Sequence, residues 1–313
     1  MTKYLVTGIA GFIGSTIARR ILAQGDQVRG VDNLATGNHQ NIAEILDRID
    51  FHRTDILDLD GLHSACEGVD YVFHEAAIPS VPKSVLDPLG NNRANVDGTA
   101  NVLVAARDAK VKRVVYAASS SAYGDTPTLP KRESMPPNPI SPYAVAKLAS
   151  EYYMISFYRC YGLETVCLRY FNIFGPRQDP TSPYSGVLAK FITQMLNGEE
   201  PTILGDGEQS RDFTYVDNAV DANLLACHAP AEKVAGRVFN VATGTRVNLK
   251  ETFQTLKNLM DFKGEVKYGP ERTGDVKHSL ADISAAQQAF NYEPQVSFEE
   301  GLRRTIAWYK NGR

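Results

Sequence analysis

Residues 4–14 read Tyr4-Leu5-Val6-Thr7-Gly8-Ile9-Ala10-Gly11-Phe12-Ile13-Gly14, and this stretch decides the fold. A short apolar strand runs into a tight turn, and Phe12 opens a helix in which Ile13, Ile17 and Ile21 recur every four residues. The glycines follow a G-x-x-G-x-x-G spacing. Gly8 suits a turn at positive φ, Gly11 lets the backbone approach an anion, and Gly14 lets the helix pack on the strand. The free N–H groups at the helix start, around Phe12 and Ile13, then face a pyrophosphate. A glycine trio also occurs in purely structural strand-to-helix turns, so the surrounding chain has to support the reading.

It does. Gln27–Val31 reads as the next strand and Asp32 ends it, 18 residues after Gly14. A carboxylate there accepts hydrogen bonds from ribose hydroxyls and repels a 2′-phosphate, so NAD is expected over NADP. Asp55 and Ile56 follow a third strand and offer a carboxylate and an apolar wall to adenine. His74-Glu75-Ala76-Ala77 follows a fourth, where small residues leave room for the cofactor. Further strands are expected at Arg113–Ala117 and Glu164–Arg169. Strands alternating with helices imply an α/β fold, a Rossmann doubly wound parallel sheet covered on both faces. Residues 171–186 are rich in Pro, Gly, Asn and Ser and read as a site loop. Gly205–Gly207 and Gly269–Asp275 read as turns or loops. Phe239–Ala242 reads as a strand returning to the sheet. The expected division is an NAD-binding domain over 1–170, rejoined near 215–245, and a smaller C-terminal α/β substrate lobe over 171–313, with a cleft between them.

The 313 residues are 43% hydrophobic and 22% charged, enough for a sizeable core. Lys plus Arg number 33 against 36 Asp plus Glu, a net charge of −3, which gives no electrostatic argument for nucleic acid or an anionic membrane. Cys66, Cys160, Cys167 and Cys227 form no CxxC pair and no zinc spacing, so reduced thiols and no metal are expected. The first residues enter a strand at once, and no apolar run is long enough to span a bilayer. A soluble, cytoplasmic protein is expected.

Tyr143-Ala-Val-Ala-Lys147 opens a helix after Ser141-Pro142. Residues four apart share a helix face, and an ammonium beside a phenol favours the phenolate. A cationic nicotinamide would push the same way, making Tyr143 a general base near neutral pH. A Tyr–Lys pair on an ordinary surface helix shows the same spacing. Ser119, at the carboxyl end of the strand before Ser120-Ser121-Ala122-Tyr123-Gly124, strengthens the catalytic reading, since its hydroxyl would sit at the cleft mouth.

Taken together, TGIAGFIG (7–14), Asp32, Asp55-Ile56, HEAA (74–77), SSSAYG (119–124), YAVAK (143–147), RYFNIFGPRQ (169–178), GDGEQSRDFTYVDN (205–218) and RTGDVKHSLAD (272–282) span nearly the whole chain. They resemble the extended short-chain dehydrogenase/reductase family, and within it the UDP-hexose 4-epimerases. The resemblance implies a retained NAD and catalysis by Ser119, Tyr143 and Lys147. Tyr143 would take the proton of the sugar 4-hydroxyl while a hydride passes from carbon 4 to NAD. The keto sugar would turn over, and the hydride would return to its other face. Asn33, Gly37, Pro79, Asn95 and Phe171 complete the expected cofactor set. On the substrate side, Asn172, Arg211 and Arg272 would hold the diphosphate and Asp275 a ribose hydroxyl. Ser84, Ser120, Val187 and Ser279 would line the nucleotide sugar. A homodimer through helices near Asn91–Ala109 and Pro142–Cys160 is expected on the same ground.

Two comparisons narrow the reaction. Dehydratases and UDP-xylose-forming decarboxylases of this family carry acids just after the position of Ser119, where this chain has Ser120 and Ser121. Epimerisation remains. A tyrosine at the position of Ser279 restricts the pocket to plain hexoses, and a serine leaves room for a 2-acetamido group. This favours UDP-GlcNAc and UDP-GalNAc, with UDP-glucose and UDP-galactose still able to enter. Two alternatives stay open. One is a UDP-glucuronate 4-epimerase or another UDP-sugar-modifying relative, with Lys83 or Arg177 as the added cation. The other is an NAD-sensing binding protein without catalysis.

Overall fold

The computed structural model describes residues 1–180, 186–271 and 277–311. Seven strands form one parallel sheet: β1 (Lys3–Thr7), β2 (Gln27–Val31), β3 (Asp50–His52), β4 (Tyr71–His74), β5 (Arg113–Ser119), β6 (Glu164–Tyr170) and β7 (Arg237–Val241). Their order is β7-β6-β5-β4-β1-β2-β3, so the chain direction reverses beside β1, where α/β sheets of this kind open their ligand crevice. The returning strand is Arg237–Val241, and β5 and β6 run two and one residues beyond their expected ends. Ala118 and Ser119 find partners in Arg169 and Tyr170, which extends the ladder.

Successive strand side chains alternate between two cores. Leu5, Val72, Val114 and Tyr116 pack against α2 (Leu59–Cys66), α3 (Gly98–Asp108) and α4 (Pro142–Tyr161). Tyr4, Val6, Phe73 and Val115 face the other side, with α1 (Phe12–Ala23) and, further along the chain, α6 (Val216–His228). That second cluster continues without a break through Phe174, Phe191 of α5 (Val187–Leu196), Leu256 of α7 (Leu249–Met260) and Leu302 of α8 (Phe298–Lys310). In the C-terminal part, Ile173–Phe174 pairs with Thr214–Tyr215, Thr202–Leu204 with Lys267–Gly269, and Ser210–Arg211 with Val247–Asn248.

Helix α4 has clear ends. Ser141 accepts the Ala144 N–H at 3.2 Å, Pro142 occupies the first turn, and Gly162 stops the helix at φ +72. A buried ion pair fixes it to the sheet: Arg169 donates from Nε and Nη2 to Glu151 at 3.0 and 2.6 Å. At the end of α6, Arg113 donates to the carbonyls of Ala226, Cys227 and Ala229 at 2.7–2.9 Å, satisfying groups the helix leaves free. Cys66, Cys167 and Cys227 are buried free thiols and Cys160 is exposed. Among the described residues no group of side chains could hold a metal ion, and no helix is long and apolar enough to cross a membrane.

Candidate active site

A cavity of about 1290 Å³ opens at the carboxyl ends of the parallel strands. Its floor is the glycine turn. Gly8 sits at φ +69, and a Cβ there would lie 2.7 Å from the Ala76 nitrogen. A Cβ on Gly14 would come within 2.3 Å of the Gly8 carbonyl oxygen. Gly11 precedes α1 without a side-chain cap, and the first turn carries no acid. The helix start at Phe12 and Ile13 is therefore open to an anion. Ala76, Ala77 and Pro79 continue the lining from beside Gly8.

Asp32 is buried and shaped by its neighbours. Its oxygens accept the N–H groups of Ala10 at 2.9 Å and Leu34 at 2.8 Å. Burial pushes the carboxyl up, and those two donors partly offset it. Gly37 approaches so closely that a Cβ would stand 2.9 Å from both carboxylate oxygens. Asn33 donates to Asp55 at 2.7 Å, and all three residues line the cleft with Gly37 and Ile56. The cradle fits an NAD: a bare helix N-terminus for the diphosphate, a carboxylate for the ribose and glycines where side chains would collide.

Ser119, at the end of β5, and Tyr143 and Lys147, in the first turns of α4, reach the same cleft, with Ser120 beside them. The Ser119 hydroxyl accepts from the Ser121 N–H at 3.1 Å and the Ser121 hydroxyl at 2.8 Å. Lys147 Nζ donates to the Ala117 carbonyl at 2.7 Å and lies 4.7 Å from the centre of the Tyr116 ring. Burial pushes its ammonium down to about 8, with Glu75 acting in the opposite direction. The Tyr143 phenol stands above its ordinary value because burial penalises the phenolate, and a hydrogen bond with Ser119 works against that. The group that opposes burial is Ser119 and not Lys147, whose ammonium is turned to the Ala117 carbonyl.

The structure brings other expected residues only to the periphery. Asn95 is buried behind the wall, where its Oδ1 accepts the Ile78 N–H at 2.9 Å and braces the 76–79 loop. Phe171 packs with Tyr123, Ala242 and Ala281. Ser84 is buried and donates to the Val81 carbonyl at 2.6 Å within its own short helix. Val187 begins α5 and packs partly on the main core. Arg211 donates to the carbonyls of Ser210 and Lys277 at 3.0 and 3.1 Å. Asn172 does line the cleft, at φ +42, and donates to Ser279 Oγ at 3.0 Å and the Asp212 carbonyl at 3.1 Å. Arg272 and Asp275 lie outside the described residues.

Glu75, Arg19 and Trp308 are wall residues that the sequence motifs do not mark as ligands of the cofactor or sugar. Glu75 accepts the Tyr170 hydroxyl at 2.9 Å; a charged residue directly after an apolar strand was the signal for it. Arg19 and Trp308 reach the cleft from α1 and the last helix, which no local pattern announces. Lys83 and Arg177, the two cations expected for a carbon-6 carboxylate, line it too, Arg177 at φ +71. Burial and the neighbouring Arg19 depress the Arg177 guanidinium.

Residues 4–242 match the model of the NAD dependent epimerase/dehydratase family. The UDP-glucose 4-epimerase of Mycolicibacterium smegmatis is 39% identical over 314 residues, covering 99% of both chains. The UDP-N-acetylglucosamine 4-epimerase of Methanobrevibacter ruminantium, solved with UDP-N-acetylmuramic acid, superposes with a TM-score of 0.94 at 41% identity, over 100% of this chain and 99% of that one. The UDP-glucose 4-epimerase of Thermus thermophilus, solved with NAD, gives 0.91 at 35% identity over 100% of each chain. The glycine cradle, the buried Asp32 and the Ser–Tyr–Lys trio in one cleft agree with these likenesses, and the chain belongs to the NAD dependent epimerase/dehydratase family as an NAD-using isomerase of its UDP-sugar 4-epimerase group.

Proposed function

We propose that the enzyme interconverts UDP-N-acetylglucosamine and UDP-N-acetylgalactosamine, and that it also accepts UDP-glucose and UDP-galactose. The observation that carries this reading is Ser279. Its hydroxyl accepts from Asn172, which lines the cleft, so Ser279 stands one residue behind that wall, and a small side chain there supports a roomier pocket. A bulkier residue there would take the volume a 2-acetamido group needs.

Bound NAD supplies the acceptor and later the donor of the hydride at carbon 4. Tyr143 takes the proton of the 4-hydroxyl and later gives it back. Ser119 shares that proton through its bond to Tyr143. Lys147 would hold the nicotinamide ribose, and its charge favours the Tyr143 phenolate that then accepts the sugar proton. Ser121 is tied to Ser119 and offers no acid, which fits a reaction without loss of water. Asn172, Arg211, Arg272 and Asp275 hold the UDP. A second copy packs on the exposed apolar side chains of α4, Val145, Tyr152 and Tyr153, and on Leu89 of the neighbouring short helix; sedimentation gives the mass of the assembly directly.

The test is incubation of the purified protein, without added NAD, with UDP-N-acetylglucosamine, UDP-glucose and UDP-glucuronate, resolving the products by NMR. Conversion of the first two to their 4-epimers is expected. Turnover confined to UDP-glucuronate would favour the reading in which Lys83 or Arg177 meets a carbon-6 carboxylate. Release of water or carbon dioxide would refute epimerisation.

A further inference from the structure

Glu75 is a carboxylate in the cleft wall that the chemistry above does not use. It follows β4 directly, next to Ala76, against whose nitrogen Gly8 packs. Tyr170, the last residue of β6, donates its hydroxyl proton to Glu75 Oε1 at 2.9 Å. Asn223 of α6 donates to that same Tyr170 oxygen at 2.6 Å, and its amide also donates to the Ala219 carbonyl at 2.8 Å. The phenol proton is thereby committed to the carboxylate. Two separate elements, β6 and α6, thus hold the acid that follows β4.

The charged group that faces it is Lys147 from α4, with Tyr143 one turn earlier on the same helix. His74, the preceding residue, is engaged elsewhere, between the hydroxyls of Thr7 at 2.7 Å and Thr99 at 3.0 Å, and stays neutral. Ser119, Tyr143 and Lys147 suffice for the proton transfers, so Glu75 needs another reason to stand among them.

We propose that Glu75 is an electrostatic positioning residue, held by Tyr170 beside Lys147, whose charge keeps the bound NAD in its oxidised form. The proposal rests on placing NAD in this cleft. Reduction of a nicotinamide removes its positive charge, so a nearby carboxylate favours the oxidised state. For scale, two unit charges separated by about 10 Å at an effective dielectric of about 20 interact strongly enough to shift an equilibrium by about tenfold. An epimerase must return its hydride each cycle, and a cofactor left reduced is a dead enzyme.

Burial pushes the Glu75 carboxyl up to about 7, against the pull of Tyr170 and Lys147. Its charge is therefore present on the alkaline side of neutrality and fades on the acid side. The experiment measures the midpoint potential of NAD in the holoenzyme by equilibration with redox dyes, across this range, for wild type, Glu75→Gln and Tyr170→Phe. No sugar is needed, so a wrong substrate assignment leaves the test intact. Glu75→Gln should raise the potential by about 30 mV above neutrality, the equivalent of tenfold for a two-electron couple, and the difference should vanish at acid pH. Tyr170→Phe, which removes the donor to the carboxylate, should move the pH of that change upward. Equal potentials at every pH, or a constant offset, would overturn the proposal. Should Glu75→Gln fail to fold, an unmoved transition in Tyr170→Phe would overturn it alone.

Discussion

Arg169 and Glu151 meet as a two-pronged ion pair, 5% and 3% exposed, between the strand that ends at the cleft and the helix that carries Tyr143 and Lys147. The guanidinium also lies over the Tyr123 ring, 4.6 Å from its centre. Removing one partner strands the other charge in the interior. Glu151→Ala should cost about 3–5 kcal/mol of stability, read by chemical unfolding. A loss below about 1 kcal/mol, the ordinary value of an exposed pair, would show that water reaches the site.

Tyr143→Phe should lower turnover by about 10²–10⁴-fold, the usual worth of a positioned acid–base group. NAD should remain bound in normal amount, since the ring is retained. Full activity in this variant would remove Tyr143 from the chemistry.

Ser279→Tyr should act on choice of sugar. Conversion of UDP-N-acetylglucosamine should fall relative to UDP-glucose by about 10–200-fold, measured as the ratio of kcat/KM for the two. An unchanged ratio would mean that the acetamido group lies elsewhere.

Gly37→Val tests the ribose site. The added side chain would push on both Asp32 oxygens and on the Ala10 Cβ, each 2.9 Å from the Cβ position. Overpacking of this kind costs about 1–3 kcal/mol, and the loss should appear in NAD affinity by calorimetry. Wild-type affinity would show that the loop moves aside at no cost.

His74 makes a pH prediction. Burial drops its imidazole from 6.5 to about 3. The unfolded chain takes up a proton below about pH 6.5, where the folded chain does not, so stability is full above that value and falls as pH drops toward 3. Between pH 7 and 5, wild type should lose about 2 kcal/mol more than His74→Asn. Parallel urea-unfolding curves for the two proteins at both pH values would contradict the assignment.

Much of this was legible in the chain because the informative contacts are local. The Gly8–Gly14 turn, Asp32 at a strand end and the helix start at Ser141 each need only neighbouring residues to define them. The return of the chain was visible at Phe239–Ala242, although the strand itself is Arg237–Val241 and begins two residues earlier. Asn95 was not resolvable that way, since nothing near it in sequence says that its amide braces Ile78. Ser84 resembled a sugar contact, yet its hydroxyl is consumed by its own helix. The last helix reaches back about 130 residues to the cleft loop, where Tyr309 donates to the Gln178 carbonyl. Distance of that kind leaves no periodic trace, and the positive φ of Arg177 leaves none either.

Strand β7 has a consequence for how such a protein can change. The edge of the cofactor sheet is made from residues that come after the first substrate-side segments, and one buried cluster runs from Tyr4 to Ile306. A fragment cut at Tyr170 would leave β6 unpaired on its outer edge and bare the side chains that α6 covers. The two halves are thus not interchangeable modules. New specificity in this architecture has to arrive by replacing single wall residues, not by exchanging one lobe for another.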